Sequence, residues 1–431
     1  MKKEKDLFNN IIGYDDIKKT LTRLIDVLNN KEKYEKIGST IPHGLFISGE
    51  PGTGKTSFSN SILKNVKNRK SFIIRKIKSD GSFLDYIEHQ FEKAIKEQPS
   101  IILLDDLDKF SKNEEGSKNQ EEYVAIQAQI DKVKNEDVFV IATVNEENIL
   151  PKSLLRSGRF DIKIIIKDPN EKDSLKIIKH YLKKKKVSKK VNIENISQIL
   201  VGSSCADLEK VCNQAGLYAG FSNKEEIEMD ELVRAALELR YNTNLGDINE
   251  EDKYSLETAY HEAGHTLIGY LLEPGSISFS TISKNDGNTA GFTINRDNEY
   301  YFSDINYMKN RIKMLLGGKA ATEIIYNKCD VGTKSDLRRA FDIATRLIEN
   351  FCLRGYDSYT TFDSSNETLE KRDSAVRKLI SDYYSEVRTM IRENIDLLDE
   401  LAKRLNEKKI LFASEIDSII SSKKVCAKWE I

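Results

Sequence analysis

Gly44-Leu-Phe-Ile-Ser-Gly-Glu-Pro-Gly-Thr-Gly-Lys55-Thr56 reads as a short apolar strand running straight into a glycine-rich loop and a helix start. Within it, Gly49, Glu50, Pro51, Gly52, Thr53, Gly54, Lys55 and Thr56 fit GxxxxGK[ST] in the strand–loop–helix setting that pattern requires. Gly52 and Gly54 let backbone N–H groups converge on phosphate oxygens. Lys55 reaches the β and γ phosphates, and the Thr56 hydroxyl ligates magnesium. The stretch predicts an α/β P-loop domain that takes ATP with magnesium.

Downstream, Ile101-Ile-Leu-Leu-Asp105-Asp106 sets four apolar residues, the mark of a buried parallel strand, before two carboxylates. The C-terminal ends of such strands are where α/β sheets place chemistry. Asp105 is therefore the expected magnesium-side group, and Asp106 the expected base for the attacking water. Val138-Phe-Val-Ile-Ala142 is a further central strand leading to Thr143 and Asn145, and an amide at that tip can report on a γ-phosphate. Arg156 and Arg159 precede a strand at Ile162–Ile166. They are either surface residues or, in a ring ATPase, guanidiniums that reach a neighbour's nucleotide and stabilise transition-state charge.

A second chemistry lies beyond the polar stretch 241–253, which holds the expected interdomain linker, 244–253. Leu256-Glu-Thr-Ala-Tyr-His261-Glu262-Ala-Gly-His265-Thr-Leu-Ile-Gly-Tyr-Leu has apolar residues at 256, 259, 260, 263, 267, 268 and 271, the spacing of an amphipathic helix. His261 and His265, four apart, leave one face a turn apart and can converge on one ion. Glu262 can hold the attacking water and accept its proton. The chain has only 5 histidines, so this HExxH is not scattered composition. Gly264 implies close packing against the metal or a second helix. Zinc needs a third protein ligand, and no HxxGxxH continuation supplies it. Glu323, after Gly317-Gly318, and Asp336, in Val331-Gly-Thr-Lys-Ser-Asp336, both qualify on chemistry.

The bulk composition narrows the class. A chain of 431 residues, 39% hydrophobic and 32% charged with 6 Pro, is a folded, helix-rich protein of two to four domains. With 68 Lys plus Arg against 69 Asp plus Glu, no net field draws it to nucleic acid or anionic lipid, and Lys183–Lys186 reads as a solvated helix end. The 5 cysteines are scattered without CxxC spacing, which fits a reducing compartment; Cys205 and Cys212 read as small core residues. No apolar run nears the ~20 residues that span a bilayer, and no signal peptide is visible. The expectation is a cytoplasmic protein with no membrane and no nucleic-acid partner.

The order PGTGKT, ILLDDLD, ATVN, LLRSGRFD resembles the AAA+ ATPases, and the resemblance covers residues 8–240. It implies that Asn145 is the sensor-1 residue and that Arg156 and Arg159 are arginine fingers. The helical pattern after Pro169, including Cys205–Tyr218, would be the small lid. HEAGH, LLGGKAATEII, GTKSDLRRAFDIATRLI and YYSEVRTMIRENIDLLDELAKRL are similar in order and spacing to the peptidase domain of the FtsH-like AAA+ zinc proteases. This implies Asp336 as the third zinc ligand and a structural Glu323. It also implies that the strand at Thr289–Ile294 borders the cleft and receives a substrate backbone by β-addition. The implied architecture is multidomain α/β plus α: a large ATPase domain (1–168), a helical lid (169–243), the linker and a mainly helical zinc peptidase domain (254–431). The implied assembly is a hexameric homo-oligomer that feeds protein or peptide substrates from an ATPase ring to a peptidase ring.

The sequence departs from that family's pattern in several places. The membrane-spanning helices are missing, and the ATPase resemblance begins at Phe8, so a soluble form is expected. Asp106 stands where most relatives have Glu, and Thr322 where they have a second Glu. The stretch Ile73–Leu84 lacks the family's aromatic–hydrophobic–Gly pore tripeptide. That leaves Ile77 or Phe83 to grip a substrate, or a motor that does not thread tightly folded chains. Two further readings stay open: a remodelling or adaptor protein whose zinc peptidase is slow or inactive, and a zinc peptidase that uses the ATPase ring mainly as a scaffold.

Overall fold

The computed structural model describes residues 7–76, 82–110, 113–114, 117–118, 121–156, 158–243, 254–284, 290–296, 304–328, 331–351, 353 and 364–422. Contacts divide the chain into two units, Met1–Ala235 and Ala236–Ile431, with the division inside one helix.

The first unit opens with α1 (Asp15–Asn29), α2 (Lys31–Glu35), β1 (Gly44–Ser48), α3 (Lys55–Asn65), β2 (Lys70–Ile74), α4 (Ser82–Lys96) and β3 (Ser100–Leu104). It continues with the short strands β4 (Asn113–Glu114) and β5 (Ser117–Lys118), then α5 (Glu121–Lys132), β6 (Val138–Val144) and β7 (Ile162–Ile165). The helices α6 (Glu171–Leu182), α7 (Ile193–Ile199), α8 (Cys205–Phe221) and α9 (Met229–Tyr241) follow, the last crossing the division.

The apolar runs of β1, β3 and β6 are buried at every residue and form the middle of a parallel sheet ordered β2-β3-β6-β1-β7. Alternate residues face opposite sides, as the strand period of two requires. Phe46, Ile102, Leu104, Val140 and Ala142 pack with Phe83, Phe91 and Ile126 of α4 and α5. Leu45, Ile47, Ile101, Leu103 and Ile141 pack with Leu24 of α1 and Phe58 of α3. In register, Ser48 pairs with Val144 and Leu104 with Ala142, so the loops after β1, β3 and β6 leave the sheet along one edge.

The second unit carries α10 (Ser255–Leu272), β8 (Ile277–Thr281), β9 (Phe292–Asn295), α11 (Ile305–Tyr326), α12 (Lys334–Phe351), α13 (Asn366–Glu393), α14 (Ile395–Lys408), β10 (Ile410–Phe412) and α15 (Ala413–Ser421). The strands make an antiparallel sheet ordered β10-β8-β9. The amphipathic pattern expected of the HExxH helix is not what the structure shows. From Ala259 to Gly269 every residue of α10 is buried, because α11 and α14 both pack on it. Its Gly264 meets a second helix: a Cβ there would lie 2.4 Å from Gly317 O, and one on Gly317 would lie 2.6 Å from Gly264 O. The backbones of α10 and α11 touch, and no side chain fits between them. Among the described residues no helix is long and apolar enough to cross a membrane.

Candidate metal centre and nucleotide pocket

One turn of α10 directs His261 and His265 to a common point, their Nε2 atoms 3.1 Å apart. Asp336, in the first turn of α12, brings Oδ2 to 3.2 Å from His261 Nε2 and 3.3 Å from His265 Nε2. Ligands at about 2.0–2.1 Å from a tetrahedral ion lie about 3.3 Å from one another, so this triangle fits a zinc-sized cation. The nitrogens are aimed in advance. His265 Nδ1 lies 2.7 Å from Met314 O, a carbonyl that only accepts, so the proton sits on Nδ1 and the Nε2 lone pair points to the site. Partial burial opposes the charge of Asp336, but the two imidazoles beside it hold its carboxyl well below the usual carboxylate range. Gly318 keeps the approach open, since a Cβ there would stand 2.6 Å from both Nε2 atoms. Glu323 is elsewhere, held by Lys319 and the Tyr384 hydroxyl.

Glu262 is buried next to the donors, and that burial pushes its carboxyl up despite the neighbouring imidazoles. Its Oε2 accepts a hydrogen bond from Thr293 Oγ1 at 2.7 Å. Thr293 belongs to β9, 31 residues away along the chain, and no motif in the sequence marks it.

The nucleotide pocket assembles along the sheet edge. Lys55, the first residue of α3, donates to Gly49 O at 2.7 Å and Glu50 O at 2.8 Å, and burial pushes its ammonium down. The Thr53 hydroxyl closes the loop onto Glu50 O at 2.8 Å, and Thr56 is exposed on the first turn of α3. Gly52 O accepts the Ala206 N–H at 3.2 Å, which seats the start of α8 on the loop. Asp105 Oδ1 accepts from Thr143 Oγ1 at 2.8 Å, and its Oδ2 pairs with Arg75 from the end of β2. Asp106 adopts a left-handed backbone (φ 57°) and donates its N–H to the same Thr143 oxygen at 2.9 Å. Its carboxylate meets Lys109 Nζ at 2.7 Å and Asn145 Nδ2 at 3.4 Å. Asn145 also bonds Asp108, through its N–H at 3.0 Å and Nδ2 at 3.2 Å.

The two arginines part company. Arg156 is exposed. Arg159 makes a two-pronged pair with Asp131 of its own chain, Nε to Oδ1 at 2.9 Å and Nη2 to Oδ2 at 2.6 Å. Phe83 does not serve as a gripping residue: it is 6% exposed and packs edge-on to Phe110 at 5.1 Å. An aromatic one residue into α4 falls on the face that covers the sheet. Ile77 lies outside the described residues.

Comparison with known proteins places both sites in families. Residues 45–168 match the ATPase family associated with various cellular activities (AAA), and residues 247–419 match peptidase family M41. ATP-dependent zinc metalloprotease FtsH 2 of Thermoanaerobacter sp. (strain X514) is 29% identical over 422 residues, spanning 96% of this chain and 82% of that protein. The FtsH zinc metalloprotease of Streptobacillus moniliformis is 29% identical over 447 residues, 97% of this chain and 64% of its own length. That of Karelsulcia muelleri is 28% identical over 439 residues, 96% and 70%. The chain is an FtsH-like AAA+ zinc-metalloprotease homologue, with an AAA ATPase module and a peptidase module in one polypeptide.

Proposed function

We propose that this chain is an ATP-dependent zinc endopeptidase. The observation that carries the reading is the triangle of His261, His265 and Asp336 donors with Glu262 buried beside it. These three residues hold one zinc, which when bound polarises a peptide carbonyl and acidifies water. Glu262 takes the proton of the attacking water and delivers it to the departing amine. Among the described residues β9 is the outer strand of its sheet, and its outer edge receives the substrate backbone as an added strand.

The nucleotide side follows the same logic. The N–H groups of Gly49–Gly54 and the Lys55 ammonium hold the phosphates of ATP, while Thr56 and Asp105 serve its magnesium. Asp106 orients the attacking water, and Asn145, bonded to it, reports the γ-phosphate. Arg156, with Arg159 once its Asp131 pair opens, completes the site of a neighbouring subunit in a hexameric ring. On this reading residues 1–168 are the motor, 169–243 its lid, 244–253 the linker and 254–431 the peptidase. The burial of Phe83 favours a ring that feeds loosely folded chains more readily than stable domains.

The test is zinc analysis and casein cleavage on one purified sample, with and without ATP. One zinc per chain and cleavage that rises with ATP are expected. Zinc retained without cleavage would favour a remodelling or adaptor protein, and cleavage indifferent to ATP would favour a ring that acts as a scaffold.

A further inference from the structure

We propose that Thr293 is the positioning residue for Glu262, so that the strand offered to a substrate also aims the base. The inference rests on the zinc-peptidase reading above. Among the described residues β9 pairs only with β8, and in that pairing Ser280 stands opposite Thr293. Their hydroxyl oxygens are 2.9 Å apart, and Thr293 Oγ1 is 2.7 Å from Glu262 Oε2. A hydroxyl has one proton to give, and in the ionised form that acts as a base the Glu262 carboxylate can only accept. Thr293 therefore donates to Glu262, and Ser280 donates to Thr293. The hydroxyls form a directed chain from β8 through β9 to the base.

Ser280 and Glu262 are 1% and 4% exposed, so the two ends of this chain are shielded from bulk water while Thr293 between them is half-buried. With Oε2 held, Oε1 is the oxygen left to meet a proton. A second contact ties the strand to the base. A Cβ on Gly291, the residue that leads into β9, would lie 2.9 Å from Glu262 Cγ and 2.8 Å from Thr281 O, so the start of the strand runs against the glutamate side chain with no room to spare. Movement of β9 as it takes up a substrate strand reaches the carboxylate through Thr293, which couples occupancy of the edge to orientation of the base.

The test uses the zinc-loaded full chain. Thr293→Val keeps the branched shape and removes the hydroxyl, whereas Thr293→Ser keeps the hydroxyl. Thr293→Val is expected to lower kcat about 10–100-fold, the usual cost of losing a group that orients others at a metal centre, with KM and zinc content near wild type. Thr293→Ser should restore most of that loss. Acetohydroxamic acid gives a readout without turnover, because its acidic proton passes to the neighbouring carboxylate as it binds. Its affinity should fall in Thr293→Val, and the same change should add nothing in a Glu262→Gln background. Unchanged kcat and hydroxamate affinity in Thr293→Val, or no rescue by Thr293→Ser, would overturn the positioning role and leave the peptidase intact. A wild type that holds zinc but neither cleaves casein nor binds the hydroxamate would overturn the peptidase reading, and this proposal with it.

Discussion

The nucleotide pocket gathers its polar groups from the ends of several strands, whereas the metal centre takes two of its three donors from a single helix turn. Their charges differ in arrangement as well. In the pocket Asp105, Asp106 and Lys55 already have opposite or accepting partners: Arg75, Lys109 and two carbonyls respectively. In the metal centre three electron-pair donors instead face one another within 3.3 Å. The first arrangement must exchange partners to take its ligand. The second is set for a cation before one arrives, because Met314 O and the touching backbones of α10 and α11 fix the donors.

The largest expected effect breaks the preset side. Asp336→Ala should lower zinc affinity beyond the about 10–100-fold that loss of a merely supporting residue costs, while leaving ATP affinity unchanged. Glu323→Ala should leave zinc affinity near wild type, since its carboxylate is committed to Lys319 and Tyr384. Elemental analysis after graded chelation checks both. The reverse pattern would move the ligand from Asp336 to Glu323.

A smaller effect separates the scaffold from the donors. Gly264→Ala puts a Cβ 2.4 Å from Gly317 O, so α10 and α11 must part. Overpacking of this kind costs about 1–3 kcal/mol. Calorimetry should show a lower melting transition for the peptidase unit, with nucleotide binding unaffected. An unaltered transition would mean that the two helices do not depend on this contact.

The smallest effect sharpens the paired side. The Arg75 side chain is 57% exposed, so its bond to Asp105 is screened and weak. Its guanidinium nonetheless occupies an oxygen of the carboxylate proposed to serve magnesium. Arg75→Gln should therefore lower the magnesium concentration needed for half-maximal ATP binding by about two- to fivefold, read by calorimetry across a magnesium series. A higher requirement would show that Arg75 supports the ligated state instead.

The two sites were also unequally legible in the sequence. β1, β3 and β6 could be read because a strand buried on both faces has to be apolar at every residue, and each run stops at a polar tip. His261, Glu262 and His265 were legible because one helix turn holds them all. Asp336 lies 75 residues beyond His261, where chemistry alone left it equal to Glu323 and only family resemblance preferred it. Thr293 and Arg75 were silent, since a threonine in a strand and an arginine at a strand end are ordinary until the fold shows what they face. Phe83 misled for a related reason: an aromatic after a glycine-containing loop looks available, yet its place in α4 turns it into the core. The spacing of α10 suggested a one-sided helix because it records where apolar residues fall, and helices packed on both sides also bury the polar ones.

Joining the two sites in one activity is the central claim, and casein cleavage with ATP in wild type, Lys55→Ala and Glu262→Gln tests it most directly. Glu262→Gln should keep zinc and ATP hydrolysis while losing cleavage by about 100- to 10,000-fold, the range for removal of a general base. Lys55→Ala should keep zinc but lose the ATP-dependent part of cleavage, because its ammonium is the proposed contact to the phosphates. Wild-type cleavage rates in Glu262→Gln, or ATP-stimulated cleavage that survives Lys55→Ala, would contradict the account.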